Sequence, residues 1–442
     1  MKKKLELSYN KFADVFTREL LEATLPSLLL ILVALVVAYK FIDPAPPRHI
    51  AISTGDPALN YSAFASIYGV YLKEEGVTLE SRESSGDVEN LERLKDPDSG
   101  VDIAFIQDGI ASTEGAGSLL SLGSLYYEPA WIFCRCKKDV SHLAELKGKR
   151  IAIGKPGEGT HVLSTALLNA SGITTKNTTF VTIGGDEAAN AILKGKVDAA
   201  ILVDVPDSPI LQKILADRAI KLVSLDDAEA YTRQFSYLHH LILPEGSLNL
   251  ERNIPARNVD LVAPTATLVV KEDVHPALVY LMLKVIAKVH NGPGMLHKAG
   301  EFPATRGSDF PLSSQAANFY KSGLPFIDKY LPFWAATFVN RTLIVIVPLL
   351  ALLIPLTRII PVIYTWLVKR KVYRYYGALR YLDTQLRRKD IEQNKDDYLE
   401  KLNEIEDRVR ELKLPVTFSQ HAYELRAHIE LVRSRLEKAG TR

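Results

Sequence analysis

Cysteine is nearly absent: the chain has two in 442 residues, Cys134 and Cys136. Two are too few for a disulfide framework, and a single intervening residue does not match the spacing of a zinc site. In an extended segment both would point to one face, so they are expected to be small apolar fillers beside a core. A surplus of charge is missing too. Lys and Arg total 54 against 52 for Asp and Glu, which gives no basic face to argue for nucleic acid as partner. There is no zinc-protease histidine–glutamate motif and no nucleophile elbow. The turns supply N–H groups and hydroxyls rather than a nucleophile with a base, and no histidine lies near Asp108 or Glu128 in sequence, so no catalytic residue, cofactor or metal is expected and the chain does not read as an enzyme. The His239-His240 pair is read as part of a strand rather than as a metal site.

What is present begins with two long apolar runs. Residues 1–24 are polar; Leu25 to Ile42 is apolar up to Lys40, long enough to span a bilayer. The leader carries Asp14, Glu19 and Glu22 and no evident cleavage site, so an uncleaved anchor is expected rather than a signal peptide. A second span is expected over 342–367. It has no charge from Thr342 to Thr357, aromatics at Phe333, Trp334, Phe338, Tyr364 and Trp366, and the basic group Lys369, Arg370, Lys371 and Arg374 after it. Pro348 and Pro355 would kink this helix. Lys2, Lys3, Lys4, Lys11 and Arg18 at one end and the basic group at the other place both termini in the cytoplasm and residues 46–330 outside it. Residues 368–442 are charged and helix-forming. Leu402, Ile405, Val409 and Leu412, then Tyr423, Leu425, Ile429, Leu431 and Leu436, predict a helical hairpin, a candidate surface for self-association.

Between the spans, short apolar strands alternate with helices: Ile50–Ile52, a helix from Tyr61 to Glu75, Val77–Glu80, a helix after Ser84–Asp87, and Val101–Ile106. That pattern predicts an α/β fold with parallel sheets. It repeats from Ile151–Ile153 through the strand at Ala199–Val203. Ala130–Cys134 and Val259–Val270 read as crossings between two lobes, with lobe 1 about 48–132 and 262–330 and lobe 2 about 133–261. In open α/β sheets a ligand sits at the strand ends, so the interlobe crevice is the expected site.

Three turns face that crevice: Ser53-Thr54-Gly55 with Tyr61, Ser84-Ser85-Gly86, and Gly157-Glu158-Gly159-Thr160. The last leads a strand into a helix expected to be capped by Thr160, and its N–H groups form a candidate anion seat. It is not a nucleotide loop, because no Lys precedes Thr160 and Glu158 would repel phosphate. Gln107 and Asp108 close the third strand and Glu128 begins the crossing. The candidate ligand-binding residues are therefore Thr54, Tyr61, Ser84, Ser85, Gly86, Gln107, Asp108, Glu128, Gly157, Glu158, Gly159 and Thr160. Tyr127 and Trp131 are candidate lid or hinge aromatics. An anion on the N–H groups is expected, with Glu158 or Asp56 available to an ammonium if the ligand is an amino acid.

Several pieces of this stretch, in order, resemble the TAXI family of solute receptors for TRAP transporters. They are Ile52-Ser-Thr-Gly55, Glu83-Ser-Ser-Gly-Asp-Val-Glu-Asn-Leu91, Asp102-Ile-Ala-Phe-Ile-Gln107, Leu125-Tyr-Tyr-Glu-Pro129, and Leu146 to Gly154 with Gly157-Glu-Gly-Thr160. The tail Tyr423 to Arg433 is similar to that of membrane-anchored members. The resemblance implies a two-lobed type II periplasmic binding fold, a small organic carboxylate as ligand and TRAP-type permease subunits as partners. A membrane-tethered sensor signalling through the tail is the alternative.

Overall fold

The computed structural model describes residues 45–57, 60–111, 117–306, 309–385, 395–412, 414 and 418–439, together with 29, 31–33 and 36. The expected leader 1–24 lies outside the described residues, as does most of the expected span 25–42. The chain divides into two compact units, Ala45–Val339 and the remainder.

The first unit holds two five-stranded sheets. The first has the order β2-β1-β3-β12-β4, built from β1 (His49–Ser53), β2 (Thr78–Arg82), β3 (Ile103–Gln107), β4 (Leu119–Tyr127) and β12 (Thr265–Lys271). Strands β1, β2 and β3 are parallel, and β12 runs antiparallel between β3 and β4. The second has the order β7-β6-β8-β5-β9, from β5 (Ala130–Cys134), β6 (Arg150–Ala152), β7 (Thr179–Val181), β8 (Ala199–Val203) and β9 (Lys221–Leu222). Strands β10 (His239–Leu243) and β11 (Val259–Ala263) form an antiparallel pair.

Successive side chains of a strand point to opposite faces, and the cores follow that rule. On β5, Trp131 and Phe133 enter one cluster and Ala130, Ile132 and Cys134 another. On β3, Ile103 and Phe105 face one cluster and Ala104 and Ile106 the other. A strand apolar at every position is thus buried on both faces. The helices covering the sheets are α1 (Asn60–Glu74), α2 (Asp87–Lys95), α3 (Gly159–Ala170), α4 (Gly185–Leu193), α5 (Pro209–Leu215), α6 (Ala228–Gln234), α7 (Pro276–His290), α8 (Ser314–Ser322) and α9 (Phe326–Tyr330). Tyr68 and Leu72 of α1 are buried in the first lobe's core with Met282 and Ile286 of α7. Just past α1, the Glu75 carboxylate accepts from Lys284 Nζ at 2.6 Å and from the Phe333 N–H at 3.0 Å, capping the start of α10 (Phe333–Gln385).

Several expectations need correction. Ala130–Cys134 does not lead between lobes; all five residues pair within the second sheet with β8. The crossings are Glu128-Pro129 and Pro264, joined by a hydrogen bond from the Glu128 N–H to the Pro264 carbonyl at 2.9 Å. Helix α3 is capped at Glu158 rather than Thr160, which lies in its first turn. Helix α2 begins after Gly86 with no side-chain cap. Ser84 and Ser85 instead donate to Asn90 Oδ1 at 2.6 Å and Glu89 Oε2 at 2.7 Å. Cys134 and Cys136 are joined as a disulfide. The strand ends at Cys134, so the chain turns and brings the Cα atoms to 5.2 Å, within bonding range.

In the second unit α10 continues as one helix containing Pro348, Pro355 and Pro361. Among the described residues one stretch, Phe333–Ala351, is long and apolar enough to cross a membrane, with mean hydropathy 1.7; it overlaps the expected span over 342–351. Helices α11 (Lys395–Arg410) and α12 (Ser419–Ala439) pack on each other and on the end of α10 through Leu402, Val409, Leu425, Ile429, Val372 and Leu379. Arg433 pairs with Glu406 and Arg435 with Asp383. Tyr423 and Leu431, counted in the apolar stripe, are exposed.

Candidate functional site

Strands β1, β2, β3, β6 and β8 end around one cavity of about 860 Å³. Lobe 1 contributes Thr54 to Pro57, Asn60, Tyr61, Glu83 to Asp87 and Gln107; lobe 2 contributes Lys155, Glu158 to Thr160, Gly184 to Glu187 and Leu202 to Asp204. Of the expected site residues, Thr54, Tyr61, Ser84, Ser85, Gly86, Gln107, Glu128, Glu158, Gly159 and Thr160 are on its wall. Asp108 and Gly157 are not. Asp108 is buried under β12, where it accepts from Thr265 and Thr267. Gly157 gives its carbonyl to the Val88 N–H at 3.1 Å. Tyr127 and Trp131 are also off the wall. Tyr127 bonds Glu301 and Arg306, and Trp131 donates to the Asp204 carbonyl at 2.8 Å. His239 lies in β10, and among the described residues no group of His, Cys, Asp or Glu could hold a metal ion.

Asp87 changes the chemistry of the site. It is the first residue of α2 and buried, and its carboxylate accepts from the Gln107 N–H at 2.8 Å, the Gly159 N–H at 2.9 Å and the Tyr61 hydroxyl at 3.1 Å. Gly159 opens α3, so the helix end expected to seat an anion is already occupied by the chain's own carboxylate. The Ser85 N–H is likewise taken, by Glu89 at 2.7 Å. Burial raises the Asp87 pKa, although these donors oppose it.

The same contacts join the lobes. Gly159 N to Asp87, Val88 N to the Gly157 carbonyl, Gln107 Nε2 to the Gly159 carbonyl at 3.3 Å, and Asn60 Nδ2 to Asp204 Oδ1 all cross the cleft. Gly86 permits the approach: at φ 134° it adopts a backbone that favours glycine, and a Cβ there would lie 2.9 Å from the Gly157 carbonyl oxygen. A family model described as the NMT1-like family matches residues 60–322, spanning both lobes and the cavity. The chain belongs to the NMT1-like family.

Similarity of this NMT1-like chain to solved structures is low. The alkanesulfonate-binding protein SsuA of Xanthomonas axonopodis pv. citri, bound to MOPS, is 18% identical over 64% of this chain and 96% of its own, with a TM-score of 0.37. The periplasmic aliphatic sulphonate binding protein SsuA of Escherichia coli is 13% identical over 69% and 84%, with a TM-score of 0.36. Lipoprotein Tp32 of Treponema pallidum is 16% identical over 54% and 90%, with a TM-score of 0.33.

Sequence reasoning passed over Asp87 and Asp204 as wall residues. Asp204 directly follows the strand Ala199–Val203, and the strand-end rule could have found it. Its carboxylate is buried, bonded by the Val205 N–H at 2.9 Å, and its pKa is raised by that burial. Asp87 had no such signal, because two of its partners lie 20 and 72 residues away.

Proposed function

We propose that this chain is a membrane-anchored extracytoplasmic receptor that captures a small solute between its two lobes. The cavity carries the reading: both lobes wall it, the chain passes between them at Glu128-Pro129 and Pro264, and interlobe hydrogen bonds cross it. Such a site suits capture and release, since it offers polar groups from two bodies that can separate. The ordered run of TAXI-like motifs from Ile52 to Thr160 favours that type of receptor, with a TRAP-type permease as partner and residues 25–42 and 342–367 as anchors. The test is a thermal-shift screen of the full chain in detergent against a broad panel of small solutes. A binder should raise the apparent Tm in proportion to the logarithm of its concentration. Failure of every solute class would remove the receptor reading.

One observation favours a second reading, a membrane-tethered sensor. Helix α10 begins against Glu75 in the solute-binding unit and continues to Gln385. A transport receptor does not need that continuity, whereas a signal passed to α11 and α12 would use it.

A further inference from the structure

The cavity wall is strongly acidic. Asp56, Glu83, Asp87, Glu89 and Glu128 line it, with Glu158, Asp186, Glu187 and Asp204 opposite. Two cations join them, Arg93 and Lys155. Arg93 is paired with Glu89 at 2.5 Å and donates to Ser53, and Lys155 is exposed. An anionic solute would find its helix-end seat filled by Asp87 and no unpaired buried cation among the described wall residues.

Glu128 shows what is wanted instead. It is 8% exposed and on the cavity wall, and its carboxylate has one hydrogen-bond partner among the described residues, the Tyr61 hydroxyl at 3.2 Å. Burial and the neighbouring Asp87 and Glu128 charges keep Tyr61 protonated, so that hydroxyl has one hydrogen to give. Asp87 competes for it at 3.1 Å. Glu128 is therefore a buried carboxylate with at most a share of one donor. Beside it the buried Tyr126 hydroxyl has no hydrogen-bond partner among the described residues. Buried polar groups left this way call for a missing partner, and once ionised Glu128 accepts only from donors. The carboxylates are too dispersed to supply it with a metal, since no metal-holding group occurs among the described residues.

We propose that the cavity binds a small organic cation, with a protonated nitrogen of the amine, amidinium or guanidinium class seated on Glu128. Asp204 and Asp87 add negative field around it. This rests on the receptor reading and narrows it. Burial first, then the Asp87, Asp204 and Asp108 charges, hold the Glu128 carboxyl well above its usual range. In the empty site it keeps a proton at pH values where an ordinary carboxyl would not. Seating a cation displaces that proton, so binding releases it and strengthens as pH rises toward the Glu128 value. Tyr61 and Tyr126 stay neutral across that range, because burial and these carboxylates raise both hydroxyls.

The experiment is titration calorimetry on the full chain in detergent, with putrescine, agmatine and L-arginine as cations. Succinate, L-glutamate and calcium serve as contrasts, and two buffers of different ionisation enthalpy are used. At least one cation should bind with proton release. Glu128→Gln should weaken it on the order of 10- to 100-fold, the range for one charge-assisted bond, and abolish the proton release. Should Glu128→Gln fail to fold by circular dichroism, Asp204→Asn serves as the second variant and should also weaken the cation. Binding of succinate or glutamate alone, of calcium in place of the amines, or of a cation with unchanged affinity in the folded variants overturns the inference and leaves the receptor reading standing. Absence of binding by any solute of the broader screen removes both.

Discussion

Gly159 offers the sharpest perturbation of the closed cleft. Its φ is not in the left-handed region, so alanine is no backbone strain there, and helices favour Ala over Gly. What alanine would meet is the other lobe: a Cβ at Gly159 lies 2.6 Å from Asp87 Oδ2 and 2.7 Å from Gln107 Oε1. Neither side chain can retreat freely. Asp87 is buried and tied to the Gln107 and Gly159 N–H groups, and Gln107 is buried and bonded to the Gly159 carbonyl. Overpacking of this kind costs about 1–3 kcal/mol. The cost falls only on the closed form, because the opposing atoms belong to lobe 1. Closure, and with it solute affinity, should drop by about 5- to 150-fold at 1.4 kcal/mol per tenfold. Titration calorimetry with a solute from the screen, and small-angle scattering with and without it, read the two effects. Gly159→Ala should keep the wild-type circular dichroism spectrum, bind more weakly, and show less compaction. Unchanged affinity and compaction in a folded variant would refute the latch. A lost spectrum would show that the glycine serves the folding of lobe 2.

Two further outcomes are expected. Burial raises the carboxyls of Asp87, Glu158 and Asp204, and that of Glu128 with help from its acidic neighbours. A carboxyl raised on folding binds its proton more tightly folded than unfolded, so stability falls as pH rises from the ordinary carboxylate range, about 4, through the raised values. Glu89, lowered by Ser85, and Asp198, lowered by Arg150, act the other way; their contribution is full above that range and is lost as pH falls below it. His239 and His290, lowered by burial, act against this by losing stability as pH falls below about 6.5, so the carboxyl effect is read by difference. Glu128→Gln, which has no proton to lose, should gain Tm relative to the parent chain on going from pH 5.5 to pH 7.5, and an equal difference at both pH values would contradict this. Reporter fusions at Arg48 and Arg442 should report opposite sides of the membrane, and an external C-terminus would defeat the double-anchor arrangement.

The strands were legible in the sequence because burial on both faces leaves a plain mark: Ile50-Ala-Ile52 and Ile103 to Ile106 are apolar at every position. The turns at Ser84–Gly86 and Gly157–Thr160 were legible as turns, since glycine and serine mark them. Their chemistry was not. Whether an N–H at Gly159 is free depends on Asp87, 72 residues earlier, and no local pattern encodes that approach. The crossing was misplaced for a related reason. Ala130–Cys134 is as apolar as any central strand, and only its pairing with β8 shows that the turn lies before it, at Glu128-Pro129. The disulfide was hidden because it depends on where β5 ends.

Helix α1 has one end in the cavity, at Asn60 and Tyr61, and at the other Glu75 holds the first peptide of α10. Its 15 residues span about 22 Å at 1.5 Å each, and Tyr68 and Leu72 bolt it into the core along the way. Lobe 1 and the root of α10 are therefore one solid piece. If that root is fixed in a bilayer, lobe 1 is the stator. Lobe 2, joined to it through Glu128-Pro129 and Pro264, is then the lobe whose displacement would open or close the cavity.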